Sequence, residues 1–207
     1  MKLAVSFIAL VCGLTLAGFA AAQSSKVQLD QAKQSQSASL GNAQTANIGN
    51  ASGEGRTDVT VGSLKQNQSS GIGNKQEVNV GNATGQGRTQ VNVGSLSQNQ
   101  TGMGNKQVVN VGNASGRGQT KVSAGSIAQG QSGMGNKQTA SIGNATGNGS
   151  TNVKVGSLKQ SQSGLANRQS AEIGNNSGNG TTNVQVGNVV QSQSGLLGND
   201  KVRIGNR

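Results

Sequence analysis

A repeat of 31 or 32 residues runs through this chain from Gln31 onward, and it constrains the fold more than any other feature. Later units begin at Ser63, Ser95, Ser126 and Ser157, and a shorter last unit begins at Asn188. Residues 31–207 therefore hold five full units and part of a sixth, preceded by a short leader at 23–30. Repeats of this length are typical of solenoids, in which a unit buries its apolar face by stacking on its neighbours.

Within each unit, apolar and polar residues alternate and glycine-rich clusters interrupt the alternation. Val91 and Val93 belong to one such segment, and residues 102–105 to one such cluster. Alternation of β-branched residues predicts strands, and Gly and Asn favour the turns between them. Side chains two residues apart point to the same face of a strand, and Leu96 is three residues after Val93. Val91, Val93 and Leu96 can therefore all face inward only if the strand bends at Gly94 between them. We predict an all-β repeat β-solenoid of stacked, amyloid-like strand–turn–strand rungs with no helix after the signal peptide. One rung per unit is favoured, and one rung per half-unit is the alternative.

The same parity places amide side chains inside the rungs. Gln98 and Gln100 follow Leu96 inward, and Asn105 and Gln107 precede an inward-facing strand. Units stacked at about 4.8 Å would align these residues in hydrogen-bonded columns. The predicted assembly ladder comprises Gln66, Gln68, Gln98, Gln100, Gln129, Gln131, Gln160, Gln162, Asn74, Asn105, Asn136 and Asn167, continued by Gln191 and Gln193.

Basic residues also recur at one repeat position. The formal net charge is +11. Lys75, Lys106, Lys137 and Arg168 follow the turn asparagines and are predicted to face outward as a basic column. Two interpretations stay open. The column binds anionic polymers such as extracellular DNA, lipopolysaccharide or acidic polysaccharide, or it keeps assemblies soluble and limits side-to-side aggregation.

The N-terminus reads as a secretory signal peptide over residues 1–22. An apolar stretch precedes three alanines that suit cleavage. The only aromatics, Phe7 and Phe19, and the only cysteine, Cys12, lie within it. The mature chain therefore has no aromatic, Cys, His or Pro, so neither a conventional core nor a disulfide can stabilise it. We expect a secreted protein without a transmembrane segment in its mature part.

Sites for catalysis or cofactors are not expected. The chain has no histidine, and its six acidic residues do not recur at one repeat position. We therefore predict that the protein is not an enzyme and has no cofactor or metal site.

Two other sets of polar residues, threonines and asparagines, recur at fixed repeat positions. A threonine column predicted to face inward is formed by Thr57, Thr89, Thr120, Thr151 and Thr182. Asn-x-Ser/Thr sequons occur at Asn50, Asn82, Asn113, Asn144 and Asn175, which we interpret as strand bends because stacked glycans would crowd one another.

Three segments match a known repeat. Gln100–Asn105, Gln131–Asn136 and Gln162–Asn167 read Gln-x-Gly-x-x-Asn, and a serine stands five positions before each of these glutamines. This pattern resembles the curlin repeat of secreted bacterial subunits that polymerise into extracellular functional amyloid in biofilms. The resemblance implies homopolymerisation and outer-membrane secretion or nucleation partners. The units here are longer than those of curlins. Gln107, Gln138 and Gln169 stand where curlins favour alanine.

These observations predict a secreted structural subunit that self-assembles into extracellular, curli-like fibres for surface adhesion and the biofilm matrix. The alternative is a monomeric β-solenoid binding module that recognises ice or a polysaccharide. A surface adhesin component is a third interpretation, and a fibre could also fill that role.

Overall fold

A computed structural model of the chain describes residues 12–16, 25–41, 43–52, 56–84 and 88–205, and within them the chain forms only β-strands. None of these residues forms a helix that could cross a membrane. In chain order the strands are β1 (Cys12–Leu16), β2 (Ser25–Leu40), β3 (Gln44–Ile48), β4 (Asn50–Ser52), β5 (Arg56–Ile72), β6 (Gln76–Asn79), β7 (Asn82–Thr84), β8 (Arg88–Gln100), β9 (Gln107–Asn110), β10 (Ala114–Ser115), β11 (Gln119–Gln129), β12 (Ala140–Ile142), β13 (Ser150–Ser161), β14 (Ala171–Ile173), β15 (Thr182–Ser192) and β16 (Val202–Ile204).

The strands form three parallel sheets in which every strand pairs with its equivalents in the neighbouring units. The long strands make a six-stranded sheet in the order β15-β13-β11-β8-β5-β2. A seven-stranded sheet runs β1-β3-β6-β9-β12-β14-β16, and a three-stranded sheet runs β10-β7-β4. Ser95 pairs with Ser63 on one side and Ser126 on the other. Each unit is therefore one rung, which confirms the predicted β-solenoid.

Six rungs are stacked, and we number them one to six. They begin at Ser25, Thr57, Thr89, Thr120, Thr151 and Thr182. In each complete rung a long strand is followed by a turn, a second short strand, a bend and a further short segment. The long strand faces the two short ones across a thin core.

The long strand bends at a glycine, as its parity requires. Val91, Val93 and Leu96 are all buried on the two sides of Gly94. A Cβ on Gly94 would lie 2.5 Å from the carbonyl oxygen of Gly62 in the rung before it. Only glycine allows neighbouring rungs to approach so closely at the bend. This glycine column consists of Gly62, Gly94, Gly125, Gly156 and Gly187.

The core is one layer of side chains thick. Val109 and Val111 of the seven-stranded side are fully buried against the six-stranded side. A Cβ on Gly112 would lie 2.3 Å from the side chain of Val122, so the two walls nearly touch there. Such a core needs no aromatic residues, which agrees with the composition.

The first rung begins before the first recognisable repeat. Ser25 pairs with Thr57 and Leu29 pairs with Val61, so residues 25–30 of the predicted leader form the first part of β2. β1 lies in the predicted signal peptide and pairs with β3. The rest of residues 1–22 lies outside the described residues.

The turn after the long strand absorbs the difference between 32- and 31-residue units. Gln68 pairs with Gln100 and Gln76 pairs with Gln107, so the extra residue lies between them. The strands on both sides keep their register. A change of one residue in this turn therefore leaves the core columns unaltered.

Candidate functional site

The buried glutamines connect the two walls of the solenoid. The Gln98 side-chain amide donates to the carbonyl oxygen of Val108 at 3.2 Å, within the same rung. Gln107 donates from the opposite wall to the carbonyl oxygen of Gly130, in the next rung. The same two bonds recur along the stack with Gln66, Gln76, Gln129, Gln138, Gln160 and Gln169 as donors. One set closes each rung, and the other joins successive rungs.

This arrangement corrects the predicted glutamine ladder. Gln66, Gln98, Gln129 and Gln160 are buried, but their amides donate across the core to backbone carbonyls rather than along the stack to the next amide. At this level the walls are so close that a carbonyl of the opposite wall is within reach of the amide. Gln100, Gln131 and Gln162 are buried with neither amide atom hydrogen-bonded to any described residue. Because an unsatisfied buried polar group costs about 1–3 kcal/mol, the glutamines stabilise the fold less than a complete ladder would.

The turn asparagines do form a hydrogen-bonded column along the solenoid axis. Asn105 donates to Asn74 at 3.0 Å, Asn136 donates to Asn105 at 2.8 Å and Asn167 donates to Asn136 at 2.9 Å. Asn136 also donates to the carbonyl oxygen of Gly133 in its own turn at 3.2 Å. Each buried asparagine therefore holds its turn and joins it to the neighbouring rung.

Further asparagine columns were not anticipated from the sequence. Asn79 donates to Asn47 at 2.9 Å and accepts from Asn110 at 3.0 Å, with all three half-buried. They lie outside the core, and strand parity identifies only inward-facing residues. The signal was present, since an asparagine stands at the same repeat position in three successive units.

The sequon asparagines are also stacked. Asn113 donates to Asn82 at 2.5 Å, and Asn144 donates to Asn175 at 3.1 Å. These four side chains are half-buried. A glycan on Asn113 or Asn144 would be attached to the same amide nitrogen that donates to the neighbouring rung, which agrees with their interpretation as structural bends.

The basic column lines an open groove along the turns. The groove has a volume of about 580 Å³ and is bordered by Lys75, Lys106, Lys137 and Arg168 together with the turn glycines and asparagines. Lys75 forms an ion pair with Glu77 at 3.6 Å. The four side chains are half-exposed or exposed and follow one another at the rung spacing of about 4.8 Å.

A ridge of exposed apolar side chains runs along the same turns. It consists of Ile72, Met103, Met134, Leu165 and Leu196, which are 49, 42, 46, 43 and 65 % exposed. In the sequence these positions are recognisable only as turn residues. The signal that could have revealed the ridge was the recurrence of a large apolar residue directly after a glycine in successive units.

The threonine column faces inward, as its parity predicts. Thr57, Thr89, Thr120 and Thr151 are buried and Thr182 is half-buried. A flat external array of threonines, which ice binding prefers, is therefore not formed by these residues.

The first and last rungs interrupt the columns of the inner rungs. Asp30 stands at the glycine column position in rung one. In rung six, Gly198 and Asp200 stand where rung five has Asn167 and Gln169. The end rungs thus place an acidic residue in a column that is glycine or glutamine elsewhere.

Among the described residues, no group of three or more His, Cys, Asp or Glu residues could hold a metal ion. No protein-family model, curated protein or solved structure matches the chain.

Proposed function

We propose that this protein is a secreted structural subunit that assembles end to end into extracellular, curli-like fibres. Such fibres would serve surface adhesion and the biofilm matrix. The observation that carries the proposal is the pair of open strand edges at the two ends of the six-stranded sheet, β2 and β15. An open parallel edge is a template for pairing with another chain.

The two edges match in register and in their apolar side chains, while Asp30 interrupts the glycine column at the first edge. By the repeat register, a copy stacked before rung one would place its Val184 beside Val27 and its Val186 beside Leu29. All four side chains are half-buried and pack against the core. Covering them in a junction would contribute about 1 kcal/mol for each side chain.

Signal cleavage supplies the second open edge. β1 pairs with β3 at one end of the seven-stranded sheet, and β16 lies at the other end. Removal of residues 1–22 would take β1 away and leave β3 as an edge strand. The mature chain would then offer open edges on both walls of rung one, while the precursor would offer one.

The resemblance to curlins supports the same conclusion from the repeat motif. The Asn105, Asn136 and Asn167 positions of the Gln-x-Gly-x-x-Asn motif form the inter-rung column. Homopolymerisation, outer-membrane secretion or nucleation partners, and a cell-surface location are parts of this proposal.

The test is assembly of residues 23–207 after dilution from denaturant, followed by thioflavin T fluorescence and electron microscopy. We expect dye-positive fibres that seed fresh monomer. Replacing Gln98 and Gln129 by Ala should slow elongation by about tenfold, because their cross-wall hydrogen bonds are lost. Replacing the exposed Lys121 and Lys154 by Gln is the control and should change the rate by less than about twofold.

One result would contradict the proposal, and a second would contradict the role given to the glutamines. A stable β-rich monomer that never polymerises would direct attention to the binding-module alternative and to polysaccharide binding. Equal effects of the glutamine and lysine variants would show that the inner amides do not govern assembly.

A further inference from the structure

Exposed apolar side chains in the inner rungs are confined to one column. In rungs two to five, every large hydrophobic residue that is exposed among the described residues belongs to the ridge: Ile72, Met103, Met134 and Leu165. The other isoleucines and leucines of those rungs are buried in the core, and so are the valines apart from the half-buried Val108. A random scatter of exposed apolar residues needs no explanation, but a continuous column points to an interaction surface.

The backbone at and beside the ridge is conformationally costly in three rungs. Met134 of the ridge has φ of 48°, while Ala166 and Leu197, one position after the ridge in rungs five and six, have φ of 54° and 64° where rungs three and four have glycine. These are the three non-glycine residues with positive φ in the part of the chain that the structure describes. L-residues other than Gly and Asn rarely adopt this conformation. Strained residues that persist where glycine would fit suggest a functional constraint.

Cations flank the ridge on the same turns. Lys106 lies three residues after Met103, and Lys137 three residues after Met134. The ridge and the basic groove therefore run side by side along the solenoid axis. Together they form an amphipathic edge, apolar at the tip and positively charged beside it.

We propose that this edge is a docking surface for an anionic lipid membrane. The ridge side chains would enter the headgroup–acyl boundary while the lysines and Arg168 contact phosphate groups of the lipids. Apolar insertion combined with cationic contacts is the physical basis of interfacial binding to anionic membranes. The surface belongs to a single chain, so this inference does not depend on fibre assembly.

Charge complementarity favours a lipid surface over a second copy. Two solenoids packed ridge to ridge would bring their basic grooves together, and the like charges would repel. A soluble polyanion would satisfy the groove but would leave the ridge exposed to water. An anionic membrane satisfies both features.

The test is sedimentation of freshly diluted monomer with vesicles of phosphatidylglycerol and phosphatidylcholine, compared with vesicles of phosphatidylcholine alone. We expect binding to the anionic vesicles to be at least about tenfold tighter and to weaken with salt. The ridge variant carries Met103→Ser, Met134→Ser and Leu165→Ser. The groove variant carries Lys106→Gln, Lys137→Gln and Arg168→Gln. Its matched control removes three charges elsewhere, with Lys65→Gln, Lys121→Gln and Lys154→Gln.

Both the ridge and the groove variants should lose about tenfold in vesicle affinity, and the matched control less than about threefold. The ridge variant should bind a DNA duplex as the unchanged protein does, which also shows that it remains folded, together with an unaltered circular dichroism spectrum. Unchanged vesicle binding by the ridge variant would overturn the proposal in favour of a purely electrostatic site. Loss of lateral association between copies, with vesicle binding intact, would overturn it in favour of a contact between solenoids.

Discussion

The inner rungs of this solenoid and its two end rungs obey different rules. In rungs two to five, the glycine, turn-asparagine and buried-glutamine columns each repeat one residue type, such as glycine at Gly94 and Gly125 or asparagine at Asn105 and Asn136. Rung one has Asp30 in the glycine column, and rung six has Asp200 in a glutamine column. Residues in the columns of the inner rungs fit against the same residue type in the adjacent rungs. The end rungs carry acidic side chains, which would not fit well against the residue at that position in an adjacent rung.

Asp30 illustrates the difference in atomic terms. A Cβ at the glycine column lies 2.5 Å from the carbonyl oxygen of the rung before it, as seen for Gly62 and Gly94. By the same register, the Cβ of Asp30 points to the place that Gly187 of an added copy would occupy. Acidic residues on edge strands are a known protection against uncontrolled pairing. Assembly, if it follows our proposal, is therefore slowed at the junction while the fold inside each chain is not.

The largest effect on the free energy of unfolding is expected from substitutions in a core column that runs through the inner rungs and the end rungs. Ile127 is fully buried in rung four, and Val189 is its half-buried equivalent in rung six. Ile127→Ala should lower the free energy of unfolding by about 3 kcal/mol, and Val189→Ala by about 1 kcal/mol. Urea denaturation of the monomer measures both. Equal losses would mean that the end rung is packed as well as the inner ones.

An exchange at the glycine column should give the next largest effect. Gly125→Asp introduces a Cβ at 2.5 Å from the backbone oxygen of Gly94, and we expect a loss of about 2 kcal/mol. The reverse change, Asp30→Gly, removes a side chain from the exposed end and should alter stability by less than about 0.5 kcal/mol. Urea midpoints again provide the comparison, and a tolerated Gly125→Asp would remove the steric explanation of the column.

The smallest effect on stability, but a visible effect on assembly, is expected from neutralising the ends. Asp30→Gly combined with Asp200→Gln restores the inner-rung columns at both faces. Elongation of seeded fibres should accelerate by about fivefold, equivalent to roughly 1 kcal/mol in the junction. Asp58→Asn, which removes an acidic group inside rung two, is the control. Slower elongation of the double variant would show that the acids promote the junction.

The rung geometry could be predicted because it depends on local parity. Val91, Val93 and Leu96 needed only the period of two and a glycine at which the strand bends, and the structure confirms their inward orientation. The pairing of Ser95 with Ser63 followed from the repeat itself. The orientation of residues inside a repeat can be predicted with particular ease, because the same pattern of alternation occurs in every unit.

The remaining features depend on which elements meet across the core and at the turns. The carbonyl of Val108 is the partner of Gln98 only because the two walls approach at that level, and turn lengths rather than alternation decide this. Met134 was missed because turn side chains do not follow the period of a strand. Its exposure and positive φ are properties of the folded turn.

The segment between Gln68 and Gln76, where the longer units hold their extra residue, has a consequence for how such a chain can evolve. A unit contacts only the units before and after it, and a one-residue difference is absorbed without loss of register. Duplication or deletion of a whole unit would thus lengthen or shorten the particle by one step of about 4.8 Å and leave the other interfaces as they were. Particle length is open to selection independently of core chemistry.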